Sequence, residues 1–103
     1  MEYVEIKFDG FDWDRGNIAK IQNRIPIEVI EELFNQRLII KEDNRHSLTE
    51  DRYIAMGISS DKRLIIIAYT IRVKEGKNFI RVIPARYTHK KEKDAYEEIK
   101  KNF

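Results

Sequence analysis

The chain of 103 residues contains no cysteine, only two histidines and only four glycines. Without cysteine it can form no disulfide and no thiolate nucleophile or metal ligand, a composition that favours a reducing compartment. The histidines, His46 and His89, give no ligand spacing for a metal. Because the glycines are scattered, there is no glycine-rich phosphate loop. The sequence therefore predicts no metal site and no nucleotide cofactor.

Long hydrophobic runs are also missing. The longest unbroken apolar run, Leu64 to Tyr69, has six residues, whereas a helix that spans a bilayer needs about 20. The opening residues, MEYVEIKF, alternate charged and apolar side chains and lack the basic start and apolar stretch of a secretion signal. We therefore expect no membrane span and a cytoplasmic location.

What the chain does contain is enough apolar material for one core, with 42% hydrophobic and 37% charged residues. Its length suits a single domain, residues 1–103. The net charge of +2 hides an asymmetry, since residues 1–52 carry eight basic against twelve acidic residues and residues 53–103 carry twelve against six. The basic C-terminal half is the candidate for meeting phosphates, with an ordinary solvated surface as the alternative.

Hydrophobic periodicity predicts a strand over Tyr3 to Phe8, ended by Asp9-Gly10. Asp14 can then cap a short helix to about Asn23, with Ile18 and Ile21 on its buried side. Pro26 suits the first turn of a second helix, because Ile27, Ile30, Leu33 and Phe34 follow the helical period.

From residue 38 onward the period changes to that of strands, which we place at 38–41, 52–58, 64–73 and 79–85. The turns between the last three are short, as antiparallel hairpins require. Thr88 can cap a final helix, and Tyr96 lies on its apolar stripe. The predicted fold is α+β, in the order β-α-α-β-β-β-β-α, with two N-terminal helices and a C-terminal helix on a mostly antiparallel sheet.

Three segments resemble the BrnT-type toxins of bacterial type II toxin–antitoxin pairs, a family similar in fold to the RelE/ParE ribonuclease-like toxins. They are FDWDRGNIAKIQN at 11–23, EDRYIAMGISSDKRLIIIAYTIR at 50–72 and IRVIPARYTHKKEKDAYEE at 80–98. The family commonly has a His-Gly pair where this chain has Asn23-Arg24, so no role of that histidine carries over. The resemblance implies an endoribonuclease whose RNA cleavage is inhibited by direct contact with a BrnA-type antitoxin protein.

Metal-free RNA cleavage proceeds by attack of the ribose 2′-hydroxyl on phosphorus, and it needs positive charge for the phosphorane. Arginine suits this task because its planar fork matches two phosphate oxygens. We expect Arg72, Arg81 and Arg86 to surround the phosphate, with Arg52 contributing to substrate binding. The alternative is that these arginines form ordinary surface ion pairs with residues such as Glu50, Glu92 or Glu97.

The candidate proton acceptors are His46, Glu50 and His89. For His89, which lies beside the expected helix cap, phosphate binding is the preferred role. Tyr69 and Tyr87 are candidates to orient a phosphate or to stack on a base. Trp13 is expected to anchor the core.

A second hypothesis is a BrnT-like domain that has lost catalysis and acts only as a protein-binding module or corepressor together with its antitoxin. The missing His-Gly pair and the uncertain proton acceptor leave this open. Direct DNA binding by this chain alone is disfavoured, because it has no helix-turn-helix pattern and its final helix carries nearly as many acidic as basic residues.

Overall fold

The computed structural model describes residues 1–44 and 50–103. These residues form three helices, α1 (Arg15–Gln22), α2 (Ile27–Leu33) and α3 (Lys90–Lys100). They also form six strands: β1 (Glu2–Val4), β2 (Gly10–Phe11), β3 (Leu38–Glu42), β4 (Arg52–Ile58), β5 (Leu64–Lys74) and β6 (Lys77–Tyr87). Among the described helices none is long and apolar enough to cross a membrane.

The six strands make one sheet in the order β1-β3-β4-β5-β6-β2. Every neighbouring pair is antiparallel except β2 and β6, which are parallel at the edge. The hairpin of β5 and β6 is closed by Glu75 and Gly76, both at positive φ. Its two strands, of 11 residues each, are the longest strands described.

One face of the sheet carries α1 and α2 and most of the core. Its cluster joins residues of the two helices, and Phe34 at the C-cap of α2, to alternate residues of the central strands, among them Ile65, Ile67 and Tyr69 of β5. Phe34 is central because its ring meets the rings of Phe8, Phe11 and Tyr69 edge-on.

The opposite face carries α3, which packs through Tyr96 and Ile99 onto a smaller cluster containing Ile39 and Leu64. Apolar residues on both faces of β5 therefore mark a strand covered on both sides. The predicted fold class and the order of its main elements are confirmed.

Three local predictions need correction. The first strand ends at Val4, although Ile6 and Phe8 still pack against the core, and β2 at Gly10–Phe11 was not predicted. In α1, Ile21 is buried whereas Ile18 is exposed. The N-cap of α3 is His89, one residue after Thr88, because Thr88 still donates its backbone N–H to the carbonyl of Leu64.

The predicted N-cap of α1 is confirmed, whereas Pro26 is the N-cap residue of α2, one place before the first turn in which it was predicted. Asp14 is the N-cap of α1, where its carboxylate accepts the backbone N–H of Asn17 at 3.0 Å. Pro26 directly precedes α2.

Candidate functional site

Charged and aromatic side chains gather on the α3 side of the sheet, at the end of β5 remote from Leu64. We call this region the cationic face. It consists of the following residues: Asp12, Arg52, Thr70, Arg72, Lys74, Phe79 and Arg81.

The strand register explains why these residues share a face. Thr70 lies directly opposite Arg52 on β4 and Arg81 on β6. Directly paired residues project to the same side, and so do residues two apart along a strand. Arg72 and Lys74 therefore follow Thr70 on this face, and Phe79, which lies opposite Arg72, joins them.

The cationic face is crossed by ion pairs. Asp12 contacts Lys74 Nζ at 3.2 Å through one carboxylate oxygen and Arg81 Nη1 at 3.6 Å through the other. Arg81 also pairs with Asp14 at 2.8 Å. The backbone N–H of Asn17 and then the Arg81 guanidinium lower the pKa of Asp14. The Arg81 guanidinium is thus held by two carboxylates of the segment that leads into α1.

Arg72 is held less firmly. Its Nη2 atom lies 3.4 Å from Oε1 of Glu50, and both side chains are well exposed, at 44% and 38%. Exposed pairs of this kind contribute at most about 1 kcal/mol. The guanidinium of Arg72 is therefore available for exchange onto another anion.

Thr70 ties the segment that carries Glu50 to the sheet. It is only 2% exposed, and its hydroxyl donates to the backbone carbonyl of Asp51 at 2.7 Å. Asp51 directly follows Glu50, so this bond fixes the chain next to the Glu50 carboxylate.

Arg86, the third predicted arginine, belongs to a different group. It lies opposite Ile66, six residues from Arg72 along β5, which corresponds to about 20 Å. Its guanidinium forms a two-point contact with Glu92 at 2.9 and 2.8 Å. This contact raises the pKa of Arg86 and lowers that of Glu92 to about 2. The structure therefore does not bring Arg86 together with Arg72 and Arg81.

The remaining predicted site residues lie in several places. His89 is close to Arg86, since the Glu92 carboxylate also accepts the His89 backbone N–H at 3.2 Å.

Tyr69 is 3% exposed within the core, where its ring has no access to a base, and this burial raises its pKa. Tyr87 lies on the α1/α2 side, where the Arg63 guanidinium stands 3.4 Å from its ring centre. His46 lies outside the described residues.

Trp13 and Tyr96 behave as expected of core anchors. Trp13 packs against the main cluster and donates its indole N–H to Glu31 at 3.0 Å. Tyr96 is buried under α3, and this burial raises its pKa.

Sequence reasoning missed four members of the cationic face: Asp12, Thr70, Lys74 and Phe79. A signal for two of them was present, because Thr70 and Lys74 alternate with Arg72 along one strand. The pairing of Asp12 with this group depends on the two-residue strand β2, which no local pattern revealed. Among the described residues, no three His, Asp or Glu side chains cluster closely enough to hold a metal ion.

The fold and this face define a small α+β domain with arginines displayed on one side of an antiparallel sheet. A family model described as the ribonuclease toxin, BrnT, of type II toxin–antitoxin systems matches residues 13–92. The match covers most of the chain and all of its central sheet except β1 and β2. The chain therefore belongs to the BrnT family of ribonuclease toxins. No curated protein matches it.

Proposed function

We propose that the cationic face binds the scissile phosphodiester of RNA and that the chain cleaves it by attack of the 2′-hydroxyl without a metal ion. The observation that carries this proposal is that Arg72 and Arg81 share one face with Glu50 beside Arg72. Residues at diagonal positions of an antiparallel ladder lie about 7–8 Å apart, so the two guanidinium groups can hold phosphate oxygens between them. Lys74 adds a third cation beside them, and Arg52 is proposed to contact the substrate backbone.

In this mechanism Glu50 accepts the proton of the 2′-hydroxyl as the 2′-oxygen bonds to phosphorus. The bond from phosphorus to the 5′-oxygen breaks, and that oxygen takes up a proton from water. The products are a 2′,3′-cyclic phosphate and a free 5′-hydroxyl. Arg72 and Arg81 stabilise the extra negative charge of the phosphorane. Before this, the phosphate must replace Glu50 on Arg72 and compete with Asp12 for Arg81.

Membership of a toxin–antitoxin family implies an antitoxin protein partner and an RNA target. We propose that the antitoxin is of the BrnA type, that it neutralises the toxin by direct binding, and that both act in the cytoplasm. We further propose that this chain alone does not bind DNA.

The test is cleavage of a single-stranded RNA oligonucleotide by the purified chain in the presence of EDTA. We expect cleavage that persists with EDTA, products ending in a 2′,3′-cyclic phosphate, and no cleavage at a position whose 2′-hydroxyl is replaced by hydrogen. Cleavage of the 2′-deoxy position, or products with a 3′-hydroxyl, would rule out 2′-hydroxyl attack. Loss of all cleavage with EDTA would rule out the metal-free mechanism.

One observation favours the alternative of a catalytically inactive binding module or corepressor. Each of Arg72, Arg81 and Arg86 is matched by at least one carboxylate. Paired arginines serve a protein interface as well as they serve a phosphate site. If the purified chain binds its antitoxin tightly and leaves every tested RNA intact, this alternative replaces the nuclease.

A further inference from the structure

Phe79 is one of two aromatic residues that belong to neither hydrophobic cluster, and the other is Phe103. All eleven aromatic residues of the chain lie in the described ranges. Seven of them pack in or against the main cluster, Tyr3 and Tyr96 pack under α3, and Phe103 lies against Tyr3. Phe79 alone projects onto the cationic face, where it stays partly exposed.

The ring of Phe79 packs against a glycine, Gly10. Gly10 pairs with Phe79 across β2 and β6, and a Cβ atom at Gly10 would lie only 3.2 Å and 3.3 Å from two ring carbons. The ring therefore rests closely on the bare backbone of the edge strand. A side chain at Gly10 would push the ring away from this position.

The neighbours of the ring are cations that the proposed phosphate site uses. Arg72 lies directly opposite Phe79 on β5, and Arg81 follows it two residues later on the same face. The Lys74 ammonium stands 5.9 Å from the ring centre. Covering an apolar ring costs no desolvation of a polar group, and the cations around this ring attract a polyanion.

We propose that Phe79 is a stacking platform for a nucleobase of single-stranded RNA, next to the phosphate that Arg72 and Arg81 hold. In a nucleotide the base lies next to its own phosphate. An aromatic ring and a phosphate-binding guanidinium on paired strands are adjacent in the same way, so one can contact the base while the other contacts the phosphate. Stacking is tolerant of sequence, because every base presents a flat face. This inference rests on the proposed RNA binding and gives that site a base-binding element.

The competing interpretation is that Phe79 only shields the junction of β2 and β6. The two interpretations differ in what a leucine would do at this position. Leucine retains apolar cover over Gly10 but has no flat π-surface. A purely structural role is therefore preserved in Phe79→Leu, whereas a stacking role is lost.

The test uses a single-stranded RNA made non-cleavable by 2′-O-methyl groups, with one 2-aminopurine as a fluorescent base. We expect Phe79→Leu to weaken binding by about 10-fold to 100-fold and to abolish quenching of the 2-aminopurine. Phe79→Trp should restore both. The matched control is Phe103→Leu, which alters an aromatic ring that is 55% exposed on the α3 side and should leave both unchanged. Thermal unfolding of each variant confirms that it is folded.

A second series of oligonucleotides carries an abasic site moved one position at a time. At the stacking position the abasic RNA should bind wild type and Phe79→Leu equally, because no base is left to stack. Equal binding of intact RNA by these two proteins overturns the platform, and so does a wild-type chain that binds no RNA. A wild type that binds and stacks RNA but never cuts the cleavable version overturns the nuclease proposal and leaves the platform standing.

Discussion

Arg72 and Arg81 occupy diagonal positions on the ladder between β5 and β6, because Arg72 lies opposite Phe79 and Arg81 lies opposite Thr70. They differ in how they are held. The Arg81 side chain is 23% exposed and forms ion pairs with Asp12 and Asp14. The Arg72 side chain is 44% exposed and forms one long ion pair with Glu50. We infer that Arg81 is the pre-positioned cation of the pair and Arg72 the adaptable one.

Removing the negative charge of Asp12 should strengthen RNA binding. Asp12 neutralises both Lys74 and Arg81, so Asp12→Asn frees two cations for phosphate. We expect a several-fold tighter complex with non-cleavable single-stranded RNA and a steeper dependence of affinity on salt. Binding is measured by fluorescence anisotropy between about 50 and 200 mM salt.

The control is Asp94→Asn, which makes the same charge change on the exposed surface of α3. Tighter binding in both variants to the same degree would show a general charge effect and refute the specific role of Asp12.

Replacing the hydroxyl of Thr70 should loosen the segment that carries Glu50. Thr70→Val keeps the buried shape but removes the bond to the Asp51 carbonyl, at a cost of about 1 kcal/mol in the free energy of unfolding. Thr70→Ser keeps the hydroxyl and serves as the rescue. Amide hydrogen exchange at residues 50–52 should become faster in Thr70→Val only. Unchanged exchange there would contradict a tie through this hydroxyl.

The ion pair of Arg86 and Glu92, which joins β6 to α3, should be lost at acid pH. Arg86 and the His89 backbone lower the pKa of Glu92 from its ordinary 4.5 to about 2. A carboxyl whose pKa is depressed by folding stabilises the folded state above its unfolded pKa. That contribution is therefore complete above about pH 4.5 and is lost as the pH falls towards about 2. The measurement is the free energy of unfolding by urea across this range.

Glu92→Gln is the control for the pH experiment. It should be less stable than wild type at neutral pH, and the difference should shrink as the pH falls. Part of the acid sensitivity should remain in the variant, because the pKa of Asp14 is also lowered. A difference that stays constant down to pH 2 would show that the Glu92 ion pair contributes nothing.

The core prediction concerns Phe34, which is 1% exposed and touches three other rings. Phe34→Ala should lower the free energy of unfolding by about 3–5 kcal/mol, because it removes apolar contact and leaves a cavity. Chemical denaturation followed by Trp13 fluorescence measures this. A loss below about 1 kcal/mol would mean that α2 is not anchored through this ring.

The sequence predicted the main elements because their periodicity is local. The bounds of β4 were predicted at Arg52–Ile58 as found, and β5 was predicted to begin at Leu64, as it does. The strand β2 could not be predicted in this way. It has two residues and depends on pairing with a strand that lies almost 70 positions later in the chain.

The arginines of the site could be chosen from the sequence. The strand register, which decides which of them share a face, could not. A bulge in β6 sets Ile83 and Pro84 against a single residue of β5, between the pairs of Val82 with Tyr69 and Ala85 with Ile67. This extra residue turns Arg86 to the α3 side, where it meets Glu92. Without the bulge, strict alternation from Arg81 would have placed Arg86 on the face that carries α1 and α2. Tyr69 was misjudged because a run that is apolar on both faces gives no sign of which side chain is accessible.

The most direct test of the central claim, that Arg72 and Arg81 hold the scissile phosphate, is the single-turnover cleavage rate of Arg72→Ala. Arg72 is exposed and has one weak ion pair, so this substitution should leave the domain folded. The control is Arg37→Ala, which removes an exposed arginine that stacks on Tyr3, far from the cationic face. We predict that Arg72→Ala slows cleavage by about 100-fold or more, while Arg37→Ala retains the wild-type rate. A folded Arg72→Ala that cuts RNA as fast as wild type would contradict the account.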